Sequence, residues 1–103
     1  MKILHDYQGR AVRLTDERLA HILGHPEMAA LEAAMAESLE HPERVVQSRS
    51  DASAEMSHRY FLGTRVGDKW LCVVVKYAAD DAFVLTAYLT DQPKKGQQLW
   101  PTK

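Results

Sequence analysis

The sequence predicts an α+β fold, with two N-terminal helices packed on one face of an antiparallel β-sheet, in a single domain spanning residues 1–103. Three observations predict it. Apolar residues recur at helical spacing as far as Glu40; beyond that point the chain turns to strand-like runs broken by tight turns; and 103 residues suffice for one modest core.

The opening segments MKILHD and AVRLT flank Tyr-Gln-Gly-Arg and read as two short strands around a turn at Gly9. Thr15 then offers a capping hydroxyl, Asp16 and Glu17 suit the positive end of a helix, and Leu19, Ile22 and Leu23 repeat at helical spacing. Gly24 and Pro26 end that helix. A second is predicted from Pro26 to Glu40, where Met28, Leu31, Met35 and Leu39 recur at intervals of three and four. His41-Pro42 breaks it, Val45-Val46 starts a strand, and Ser48 to Ser57 has the small polar composition of a loop. Arg59 to Val66, Lys69 to Tyr77 and Ala82 to Thr90 complete an antiparallel meander that turns at Gly67-Asp68 and at Ala78 to Asp81.

Composition narrows the classes of function. The longest apolar run, Trp70 to Val75, is strand-sized and far short of the ~20 residues that cross a bilayer. The N-terminus has no apolar leader core, which predicts a cytoplasmic protein with no membrane partner. Cys72 is alone, so there is no internal disulfide and no cysteine-rich metal site, and its apolar surroundings predict a packing role. The net charge of −1 argues against coating nucleic acid by bulk electrostatics. Yet residues 1–58 carry 6 Lys/Arg against 10 Asp/Glu, and residues 59–103 carry 7 against 4, so the sheet half is the basic half.

Strand pairing sharpens that asymmetry. A two-residue turn at Gly67-Asp68 pairs Val66 with Lys69 and sets Arg59 opposite Lys76. A three-residue connection at Ala79 to Asp81 pairs Lys76 with Val84 and Val74 with Thr86, and places Tyr88 across from Cys72. Arg59, Lys76, Thr86 and Tyr88 then share a polar, basic face, while Tyr60, Leu62, Leu71, Val73, Val75, Phe83, Leu85, Ala87 and Leu89 form the face that the helices cover. A change of one residue in the second turn would reverse Thr86 and Tyr88.

The segments HILGHPEM, VVVKYAADDAFVLTAY and KKGQQLW resemble the small phage-associated branch of the barnase, EndoU, colicin and RelE nucleases, and with the helix-then-sheet order the resemblance covers nearly the whole chain. It implies metal-independent, cofactor-free cleavage of RNA, in which the 2′-hydroxyl attacks the adjacent phosphate. Matched residue by residue, it implies His25 for proton transfer, Lys76 as a phosphate grip, Thr86 as an orienting group and Tyr88 as a hydrogen-bonding group. Arg59 joins Lys76 on the pairing argument alone. Lys94 and Lys95 are candidate RNA-backbone contacts, and Trp100 a candidate base-stacking residue. His25 opens a helix that covers the apolar face, so it serves only if it reaches the sheet edge. A cytoplasmic ribonuclease also implies an inhibitor or antitoxin, or a phage-borne context.

Other readings compete. His21 and His25 stand at metal-ligand spacing, but Gly24 and Pro26 interrupt their helix and no third ligand is evident. Trp70 and Trp100 suit packing as well as stacking, and LTAYLT suits a half-buried strand. From another class, a small α+β binding module engages a protein through its polar face or open edge. An enzyme for phosphorylated small molecules would also use Arg59 and Lys76, but no Gly-rich phosphate loop supports it.

Overall fold

The computed structural model describes residues 1–102. It contains seven strands, β1 (Lys2–His5), β2 (Ala11–Leu14), β3 (Arg44–Gln47), β4 (Ala54–Thr64), β5 (Gly67–Tyr77), β6 (Ala82–Thr90) and β7 (Gln97–Trp100), with helices α1 (Asp16–Leu23) and α2 (Glu32–Glu40). All seven strands form one sheet in the order β1-β2-β6-β5-β4-β3-β7.

The predicted antiparallel sheet is corrected to a mixed one. β2 pairs antiparallel with β1 but runs parallel to β6, with Arg13 opposite Phe83. The Arg13 guanidinium forks onto Asp81 at the start of β6, at 2.9 and 2.7 Å. Bidentate pairing of this kind fixes orientation as well as attraction. A four-residue strand carries no sign in its own sequence of which way its neighbour runs.

Thr15 caps α1, accepting the N–H of Arg18 at 3.1 Å. The predicted second helix is divided: Pro26–Met28 form a single 3-10 turn and α2 begins only at Glu32. The predicted loop is shorter too, because Ala54 to Ser57 belong to β4 and only residues 48–53 connect it to β3. At the other end of the chain, Gln97–Trp100 form the edge strand β7, paired with β3.

Two registers depart from expectation. The first hairpin closes between Thr64 and Gly67 rather than at Gly67-Asp68, with a bulge at Gly63, whose φ of 67° is the left-handed backbone glycine tolerates. Arg59 therefore faces Leu71, and Lys76 faces Ala54. In the second hairpin Tyr88 lies opposite Cys72 and Thr86 opposite Val74, but a bulge pairs Lys76 with Phe83 and Val75 with Val84.

The helices cover a core of Leu71, Val73 and Val75 from β5, Val84 and Ala87 from β6, and Ile22, Met28, Met35 and Leu39 from the helical half. Tyr60 and Leu62, expected on this face, are exposed, and it is Phe61 that packs against the core. Phe83 instead lies under the Arg13 guanidinium. The opposite face is not purely polar: Val46, Met56 and Cys72 form a second buried cluster with Val74 and Tyr88 against it. The sheet curls far enough for Tyr7, just past β1, to meet Trp100 of β7 at 6.0 Å between ring centroids.

Candidate functional site

The open face is organised in rows across the strands. Arg44, His58, Cys72 and Tyr88 lie successively opposite one another on β3, β4, β5 and β6. Over this row passes the segment 91–96, which leaves β6 and crosses the face to deliver β7 alongside β3. Its course depends on Gly96, where a Cβ would stand 2.2 Å from the carbonyl oxygen of Gln47. Lys94 donates its backbone N–H to Nε2 of His58 at 3.1 Å, and its ammonium lies 5.1 Å from the centre of the Tyr88 ring.

His58 is fully buried, and burial, followed by the charges of Arg44 and Lys94, pushes its pKa down to about 4. It is therefore neutral near pH 7 and free to accept. Tyr88 moves the other way: burial first, then the neighbouring Cys72 thiol, raise the phenol above its ordinary value, so it remains a proton donor. Burial likewise pushes the Cys72 thiol up to about 11, leaving it inert as a nucleophile.

Unpaired positive charge is concentrated in one place. Lys2, Arg10, Arg13, Arg59, Lys69 and Lys76 are all engaged in ion pairs. Of the described Lys and Arg side chains outside such pairs, Arg44, Arg49, Lys94 and Lys95 line one groove of about 450 Å³ between β3 and the crossing segment. No Asp or Glu lines it.

A second groove, of about 260 Å³, adjoins β6 and brings together His25, Glu27, Thr86 and Tyr88. It exists because β2 pairs with β6 at Phe83 alone, so the outer edge of β6 beyond that point lacks a strand and the 3-10 turn at Pro26 lies beside it. His25 thus reaches the sheet edge.

The predicted residues fall into three places. His25, Thr86 and Tyr88 share the β6 groove; Lys94 and Lys95 line the cationic groove; Arg59, Lys76 and Trp100 lie in neither. Arg59 is on the helix face, donating to the carbonyl of His41 at 2.7 Å. Lys76 is held by Asp51, whose carboxyl its ammonium, followed by the Ser53 hydroxyl and N–H, keeps at about 2. Trp100 packs toward Tyr7. The sequence reading missed Arg44, the first residue of β3, Arg49, two residues past its end, and Glu27, none of which stands out in a pattern along the chain.

His21 and His25 meet edge to face at 5.7 Å between ring centroids, and no group of three or more His, Cys, Asp or Glu side chains converges to hold a metal among the described residues. No helix among them is long and apolar enough to cross a membrane. Searches of protein-family models, curated proteins and solved structures find no match to this chain.

Proposed function

We propose that this protein is an endoribonuclease that cleaves RNA through attack of the 2′-hydroxyl, using its own side chains and no metal. The observation that carries the reading is the double position of Tyr88, which lines the groove holding His25 and Thr86 while its ring carries the ammonium of Lys94. A proton-transfer group and a cation therefore flank one protonated phenol. On this reading His25 takes the proton of the 2′-hydroxyl, whose oxygen bonds to phosphorus as the bond to the 5′-oxygen breaks. Tyr88 gives the leaving oxygen its proton, and the proton on His25 passes through solvent to the Tyr88 phenolate, which restores both groups. Lys94 offsets the charge that builds on the phosphoryl oxygens, and Thr86 orients them. Such an enzyme needs restraint in the cell that makes it, so the reading includes a protein inhibitor that covers the cationic groove.

The test is incubation of the purified protein with single-stranded RNA in excess EDTA, beside His25→Ala and Tyr88→Phe. Cleavage leaving 2′,3′-cyclic phosphate and 5′-hydroxyl ends, reduced at least a hundredfold in both folded variants, is expected. Cleavage abolished by EDTA, or no cleavage of any RNA, would remove the proposal.

A further inference from the structure

We infer that Arg44, Arg49 and Lys95 form a subsite for the phosphates flanking the scissile bond, and that it takes one extended single strand of RNA. The inference rests on the ribonuclease reading and adds to it a substrate form and a binding path.

Four features carry it. The groove draws cations from two elements, Arg44 and Arg49 from β3 and the residues just after it, and Lys94 and Lys95 from the crossing segment. All four are exposed, and no carboxylate of the groove neutralises them, so their charge is available to a ligand. The lining also includes Val46 and Pro93 beside Gln92 and Gln98, a mix of apolar and polar residues that suits a strand carrying both phosphates and bases. Finally, Lys94 belongs to this groove and also lies over Tyr88, so a strand in the groove leads directly to the proposed centre.

Cations from two elements can contact one backbone at more than one point around it. A duplex backbone has its base pairs along one side and leaves only the other free, so it meets fewer of these cations at once. Each phosphate neutralised on a single strand contributes about 0.7 to the slope of log affinity against log salt. Three cations beyond Lys94 therefore add about 2 to that slope.

The test uses a labelled 12-nucleotide 2′-O-methyl RNA, which cannot be cut by 2′-hydroxyl attack, alone and annealed to its complement. Binding is followed by fluorescence anisotropy across a salt series. Arg44→Ala, Arg49→Ala and Lys95→Ala should each weaken binding severalfold and lower the salt slope by about 0.7, and the duplex should bind at least tenfold more weakly than the single strand. Because the three side chains are exposed, circular dichroism should show all variants folded. Variants that bind like the parent, a duplex bound as tightly as the single strand, or no binding at low salt would each overturn the inference; the last would leave the groove to an acidic protein segment. Since the probe is not cleaved, failure of the ribonuclease reading would appear separately, as binding without any cutting of natural RNA.

Discussion

Nε2 of His58 accepts the backbone N–H of Lys94 at 3.1 Å, so a fully buried side chain of the central sheet fixes the segment that crosses above it. The bond requires a neutral imidazole. His58 is held at about 4, below the value near 6.5 of an unfolded chain, so the unfolded state binds the proton more readily between these limits. The resulting stability is fully present above about pH 6.5 and is lost as pH falls toward 4, by about 3 kcal/mol in total. Urea midpoints measured from pH 7.5 to 4 should fall more steeply for the parent than for His58→Gln, which keeps an acceptor without a titrating group. Parallel curves would refute the assignment.

Gly96 lets the same segment lie against β3. A Cβ there would meet the Gln47 carbonyl oxygen, an atom of the backbone that cannot rotate aside. Gly96→Ala should cost about 1–3 kcal/mol and speed amide exchange in Gln97–Trp100 well before exchange in β5. Unchanged protection of β7 would show that the close approach is not required.

A buried carboxylate anchors the turn between β1 and β2. Asp6 accepts the N–H groups of Gln8 and Arg10, each at 2.9 Å, Nε of Arg10 at 2.6 Å and the hydroxyl of Tyr77 at 2.6 Å. Arg10 continues to Glu55 at 3.1 Å, and its guanidinium lies over the Tyr77 ring. Burial, followed by the Asp6 hydrogen bond, raises the Tyr77 phenol, which stays a donor to the carboxylate. Asp6→Ala strands these donors and should cost on the order of 3–5 kcal/mol, readable in a thermal melt. A loss below 1 kcal/mol would mean that the network is not coupled to folding.

Arg59 separates stability from binding. Its guanidinium holds the His41 carbonyl, past the end of α2, and lies 3.8 Å from Glu37, on the face opposite the cationic groove. Arg59→Ala should lower stability by about 1 kcal/mol while leaving affinity for the 2′-O-methyl RNA and its salt slope unchanged. A slope reduced as in Arg44→Ala would place Arg59 in the RNA path.

The sequence by itself determined what local chemistry controls: the Thr15 cap of α1, the short strands around Gly9 and the apolar strip of β5. These follow from side-chain periods and caps that act within a few residues. Only the tertiary structure decided the rest. The bulge at Gly63 moved Arg59 to the helix face, since a shift of pairing reassigns every side chain along a strand. The parallel bridge from β2 to β6, fixed by Arg13 and Asp81, left the outer edge of β6 open and so made the groove that His25 enters. Asp51, 25 residues away in sequence, neutralised Lys76, while Arg44 and Lys94 came together across the face. Which cation finds a carboxylate and which remains free depends on distances between elements far apart in the chain, and those distances exist only once the sheet has curled and the crossing segment has settled on His58.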